Sequence, residues 1–124
     1  MSFKVRRLTQ DDASSIFNAL KSRYGEAFPN DVTIDTILKR IDSSLKMRGF
    51  NWVIIENNQN TCVGVASYES RQKNCFNIRY SSLSKNNCVT IPLSKAIDKY
   101  IRSISVNNCF IGYVILGGLS DGWF

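Results

Sequence analysis

The sequence predicts an α/β fold in the α+β sense: a mixed sheet flanked by helices, with elements in the order β-α-α-β-β-β-α-β. Three observations carry this expectation. Two early segments repeat apolar residues at helical spacing, Ala13, Ile16, Phe17, Leu20 and Tyr24 in one and Ile34, Ile37, Leu38, Ile41 and Leu45 in the other. Three strand-like runs follow between residues 50 and 80, separated by polar turns. A last helical run then leads into an almost wholly apolar segment that reads as a strand buried on both faces. At 124 residues the chain suits one domain with a single core, and no repeat or linker divides it.

The first strand is expected over residues 3–8, where Phe3 and Val5 alternate with polar neighbours. Thr9 then caps a helix in a capping-box pattern, with Asp12 in the place of the usual Glu. Asp11 and Asp12 also suit the positive end of the helix dipole. Gly25 ends this helix, and residues 26–30 connect it to the next. Asp31 or Thr33 caps the second helix, and Gly49 is its expected C-terminal cap. Lys39, Arg40, Lys46 and Arg48 lie off its apolar stripe and read as a solvated basic face.

Residues 50–56 and 62–68 form the clearest hairpin, joined by the polar turn 57–61. Gly64 inside the second strand signals a bulge or a close backbone approach. A third strand is expected over residues 75–80, after a turn around residues 71–74. Leu93, Ala96, Ile97, Tyr100, Ile101 and Ile104 mark a third helix, with Pro92 near its start where a missing N–H costs little. The final strand is expected over residues 109–116, and the tail ends on Trp123 and Phe124.

Composition excludes much chemistry. The chain has no histidine, so a Ser-His-Asp triad, a Cys-His pair and histidine acid–base catalysis are all out of reach. Proton transfer would fall to Asp, Glu, Tyr, Cys or water. Cys62, Cys75, Cys88 and Cys109 are widely spaced with no C-x-x-C pair, so they read as small buried hydrophobes and no metal site is expected. No apolar run is long enough for a membrane span, and the N-terminus lacks a signal-peptide core, so the expected location is the cytoplasm. The net charge of +6 is uneven: residues 44–124 carry nine basic and four acidic groups. Such a field attracts phosphates, nucleic acid or an acidic protein.

The junction of the third strand and third helix, residues 80–93, is where an α/β fold commonly holds a phosphate-bearing cofactor. Here it contains no glycine.

The order and lengths of the elements resemble the GNAT superfamily, the Gcn5-related N-acetyltransferases. Residues 3–13 look like that family's opening strand and helix cap, and residues 52–66, with Gly64, are similar to its second and third strands. The resemblance covers most of residues 1–116 and implies a GNAT-like fold and acetyl-CoA as cofactor if the chain is catalytic. In the family, a loop of the form Arg/Gln-x-x-Gly-x-Gly/Ala grips the pyrophosphate through backbone N–H groups. Glycines let the backbone approach without a Cβ in the way. The matching positions here are Cys88 to Leu93, with Cys where Arg or Gln belongs and Val or Ile near both glycine positions. The resemblance therefore makes Lys85, Asn86, Asn87, Cys88, Val89 and Thr90 a degenerate acyl-CoA loop. Weak catalytic candidates are Glu69, as a carboxylate base, and Tyr113, which is not at the position of the family's tyrosine acid. Family members usually continue past the equivalent of residues 109–116. The early end here implies an open sheet edge, covered by a second copy or a partner protein, with Trp123 and Phe124 as anchors.

These readings give three expectations. The first is a non-catalytic protein-binding or regulatory module, for which an Asn-, Ser-, Ile- and Lys-rich composition suits a phage or mobile-element protein acting on a host factor. The second is a divergent N-acetyltransferase acting on an amine. The third is a nucleic-acid-binding protein using Arg79, Tyr80 and Lys85.

Overall fold

The computed structural model describes residues 3–72, 75–82, 90–104 and 110–116. Their order is β1 (Lys4–Arg7), α1 (Ala13–Tyr24), α2 (Ile34–Leu45), β2 (Phe50–Glu56), β3 (Cys62–Gln72), β4 (Cys75–Ser82), α3 (Thr90–Ile104) and β5 (Phe110–Leu116). This is the order read from the sequence. The strands form one sheet in the order β1-β2-β3-β4-β5. The first four are antiparallel, and β5 runs parallel to β4, as the intervening helix α3 requires.

Local chemistry explains the ends of the elements. Thr9 precedes a 3-10 turn, Gln10–Asp12, and the Asp12 carboxylate accepts the Thr9 N–H at 2.9 Å. This is the expected capping box, with α1 continuing from the turn. Gly25 closes α1 at a φ of 54°, a conformation that suits glycine. Thr33 caps α2, and its hydroxyl accepts the Thr36 N–H at 3.3 Å. Gly49 does not cap α2. That helix ends at Leu45 with Lys46 as cap, and Gly49 supplies the left-handed step (φ 79°) into β2.

The hairpin turn is built on Asn57. Its side-chain oxygen accepts the N–H groups of Gln59 at 2.9 Å and Thr61 at 3.0 Å. Asn60 adopts φ 59°, which asparagine tolerates better than most residues. Beyond the turn, Glu56 pairs with Cys62 but Ile55 pairs with Gly64, so Val63 is the extra residue of a bulge. The bulge expected at Gly64 is therefore present, and it resets the alternation of β3.

That reset divides the core. On one face Leu8, Ile16, Leu20, Ile37, Ile41, Ile54 and Val65 pack beneath α1 and α2. On the other Val53, Ile55, Val63, Ala66, Tyr68 and Ile78 pack beneath Ile97 and Ile101 of α3. Each fully buried isoleucine contributes about 1.5–3 kcal/mol of transfer free energy.

Two expectations for α2 are corrected. Ile34 and Leu45, read as part of its buried stripe, are exposed, because the stripe meets the core at its middle, through Ile37, Leu38 and Ile41. Arg40, read as solvated, is half-buried. Its guanidinium lies 5.4 Å from the Trp52 ring centre and donates to the Ser44 hydroxyl. Lys39, Lys46 and Arg48 are exposed as expected. Both β3 and β4 run further than the sequence suggested, to Gln72 and Ser82.

Candidate functional site

The junction singled out in the sequence runs from the end of β4 at Ser82 to the start of α3 at Thr90. Lys85, Asn86, Asn87, Cys88 and Val89 lie outside the described residues, as do Trp123 and Phe124. Thr90 is the first residue of α3, so the helix begins three residues earlier than its apolar pattern suggested. Pro92 is its third residue. A helix N-terminus offers four backbone N–H groups that make no bond within the helix, and proline removes one of them here. The first turn carries no acidic residue, which leaves the field there favourable to an anion.

β4 is paired along both of its edges. It meets β3 as far as Ser82 and β5 from Cys75 to Ser81 without interruption. Its backbone N–H groups facing β5 are therefore taken up by the ladder. Acetyl transfer on such a strand needs a free backbone donor for the thioester carbonyl. The described part of this junction thus joins a strand paired on both sides to a helix start that has one N–H fewer.

The weak catalytic candidates stand apart from the junction. Glu69 is half-buried in β3, opposite Phe50 on one side and Asn77 on the other. The junction end of β4 instead pairs near Gly64, so Glu69 lies toward the opposite end of the sheet. Tyr113 sits within β5, opposite Ile78. The structure brings neither residue to Thr90. The nucleic-acid surface expected from Arg79, Tyr80 and Lys85 rests on side chains outside the described set.

The sequence reading missed the most tightly bonded polar cluster among the described residues. Arg6 on β1 donates from both terminal nitrogens to the Asp12 carboxylate, at 2.6 and 3.1 Å, and from Nε to Glu56 at 2.7 Å. Asp12 and Glu56 are both buried. The two carboxylates raise the Arg6 guanidinium further above its ordinary value, Asp12 most strongly. Strand alternation was the available signal. Arg6 and Glu56 fall on the same face as Ile54, pointing toward the helix whose first turn Asp12 opens.

Cys62 pairs with Glu56 and is buried. Burial pushes its thiol up to about 12, and its S–H donates to the Gly64 carbonyl at 3.7 Å. It is a core thiol, as the spacing of the cysteines suggested. On the other face Tyr68 meets Tyr100 edge to face, with ring centres 6.4 Å apart. Burial raises the Tyr68 hydroxyl, and Tyr100 adds to the effect through charge and a hydrogen bond.

No protein-family model and no curated protein matches the sequence. Solved structures do match the fold. A GNAT-family acetyltransferase from Staphylococcus aureus superposes with a TM-score of 0.59 at 15% identity, covering 98% of this chain and 91% of its own. One from Streptococcus pneumoniae gives 0.57 at 11%, covering 82% of this chain and 66% of its own. The spermidine N-acetyltransferase of Vibrio cholerae, solved with CoA and spermine, gives 0.54 at 12%, covering 82% and 64%. The chain thus spans slightly less than two thirds of the length of the last two. With its mixed five-stranded sheet and its β-α-α-β-β-β-α-β order, the chain has the GNAT acetyltransferase fold, in a form divergent in sequence from these enzymes.

Proposed function

We propose that this chain is a GNAT-fold protein-binding or regulatory module that does not turn over acetyl-CoA. The observation that carries the reading is the unbroken pairing of β4 with β5 from Cys75 to Ser81, which occupies the strand donors that acyl transfer would use. The commitment of Asp12 and Glu56 to Arg6 supports it, since both buried carboxylates are already engaged by its guanidinium. In this reading the module acts in the cytoplasm, comes from a phage or mobile element, and takes a second copy or a host protein as its partner. Among the described strands β5 is an edge, and this edge with Trp123 and Phe124 is the proposed contact surface. No helix among the described residues is long and apolar enough to cross a membrane.

A second reading, an N-acetyltransferase acting on an amine, draws on the structural neighbours, which are acetyltransferases. The acid-free first turn of α3 and the net charge of +6 also favour an anionic cofactor. Lys85, Asn86, Asn87 and Thr90 would then hold the pyrophosphate. Titration calorimetry with acetyl-CoA separates the two. The module reading expects no heat of binding up to about 1 mM cofactor. Micromolar binding that is lost on Thr90→Ala or Asn87→Ala would overturn it in favour of the enzyme. Sedimentation tests the contact surface: self-association weakened by Trp123→Ala supports a homodimer, and a strict monomer counts against one.

A further inference from the structure

Where β1 ends, the edge of β2 is left uncovered. The Leu8 N–H donates to the Trp52 carbonyl at 3.0 Å, and the chain then leaves the sheet through the Gln10–Asp12 turn. In an antiparallel ladder, alternate residues of a strand aim their N–H and C=O groups at the same edge. Phe50, two residues before Trp52, therefore aims its backbone groups at the side that β1 has left. Its partner Glu69 lies across the other edge, on β3. Among the described residues no strand pairs with Phe50 on the β1 side. This notch is at the opposite edge of the sheet from β5, so what binds there is independent of the contact surface proposed above.

A cavity of about 350 Å³ occupies the notch, and its lining comes from both faces of the sheet. Leu45 comes from α2, and Phe50 and Trp52 point to the α2 face, as Ile54 does further along β2. Arg7, opposite Val53, and Asn51, opposite Tyr68, point to the α3 face. A compact ligand on one face reaches only one of these sets. An extended chain laid along the edge reaches both, because its successive side chains alternate between the faces. The two faces differ in character. On the α2 face Leu45 is 41% exposed and Phe50 is half-buried. On the α3 face Arg7 is exposed, and among the described residues it forms no ion pair. Lys46 and Arg48, both exposed, add positive charge on the connection into β2, and no carboxylate lines the cavity among the described residues. Glu69, opposite Phe50, lies on the α2 face, away from Arg7.

We propose that the notch takes a short extended segment of an acidic partner protein by strand addition to β2, with an apolar residue opposite Phe50 and an acidic residue next to it. The apolar residue exchanges backbone hydrogen bonds with Phe50, and its side chain lies on the α2 face with Leu45 and the Phe50 ring. Its neighbour turns a carboxylate to the α3 face, where the planar guanidinium of Arg7 matches the two oxygens and Asn51 adds an amide. Backbone pairing supplies the docking, and the opposite character of the two faces supplies the choice of partner.

The test is an amide NMR titration of the whole chain with the blocked peptide acetyl-Ser-Glu-Leu-Glu-Ser-amide. Saturable shifts centred on Thr9, Phe50 and Asn51, with a dissociation constant below about 1 mM, are expected. The Phe50 amide should also exchange its hydrogen more slowly once the peptide is bound. Methylating the leucine nitrogen of the peptide removes one strand hydrogen bond and should weaken binding about fivefold or more. Arg7→Gln and Leu45→Ser, both at exposed positions, should each weaken it by a similar factor, and Arg7→Lys, which keeps the charge and loses the fork, should fall between wild type and Arg7→Gln. The absence of saturation, shifts centred on β5, or undiminished affinity for the methylated peptide would overturn the proposal. So would equal affinity for a peptide with lysine in place of both glutamates. Shifts at the same amides that grow with the concentration of the chain alone would overturn it in favour of a second copy in the notch.

Discussion

Arg6 neutralises two buried carboxylates at once, and that makes it more than a surface ion pair. Its fork holds Asp12, which also caps the turn before α1, and its Nε holds Glu56 at the end of β2. Arg6→Gln would leave both carboxylates buried without their cation. Its side chain is 41% exposed, so solvent tempers the loss to about 2 kcal/mol. Adding Asp12→Asn and Glu56→Gln to that variant should recover part of the stability, measured by urea unfolding. A loss under about 0.5 kcal/mol for Arg6→Gln alone would reduce the cluster to an ordinary surface contact.

Cys62 carries a second prediction at this scale. Its thiol is raised from 9.0 to about 12 by burial. Above pH 9 the unfolded thiol loses its proton while the folded one keeps it, so the unfolded state binds fewer protons. Stability then falls as pH rises between 9 and 12, by up to about 1.4 kcal/mol per pH unit for this one group. Below pH 9 both states hold the proton and the contribution is flat. The difference in stability between the wild-type chain and Cys62→Ala should narrow over that window. Peptide mass spectrometry after iodoacetamide treatment at pH 8 should find Cys62 unmodified in the native protein and modified in urea.

Among the elements, α2 shows what periodicity can and cannot tell. Its apolar spacing located the helix, and Ile37 and Ile41 are fully buried. The same spacing placed Ile34 and Leu45 in the core, yet both ends of the stripe overhang the sheet. Ile41→Ala should cost about 3 kcal/mol and Ile34→Ala under about 1, read as midpoint shifts in denaturant. Similar losses for the two would show that the stripe is buried along its whole length. β3 gives the complementary case. Gly64 announced a bulge, but simple alternation puts Val63 and Val65 on one face, and the bulge sends them to opposite cores. The candidate site was less legible than the fold. Arg6, Asp12 and Glu56 come from three separate segments, and a single sequence records no such pairing. Glu69 was picked for its residue type, and register sets it away from the junction.

At the scale of the whole molecule, the sheet is shared by two cores. β2 sends Ile54 to the layer beneath α1 and α2 and Val53 and Ile55 to the layer beneath α3, and β3 divides Val65 and Ala66 in the same way. Neither layer can lose its packing while the strands between them stay in register, so the layers should unfold together. Two probes test this. Trp52 packs against the first layer, and its fluorescence is isolated by Trp123→Phe. Tyr68 and Tyr100 belong to the second, and fluorotyrosine NMR reads them. The two urea transitions should coincide in the parent chain. Ile97→Ala, beneath α3, should lower the midpoint seen by Trp52 as much as that seen by the tyrosines. Ile41→Ala, on the opposite face, should do the same in reverse. A variant that shifts the probe of its own layer alone would show that the sheet does not couple the two cores.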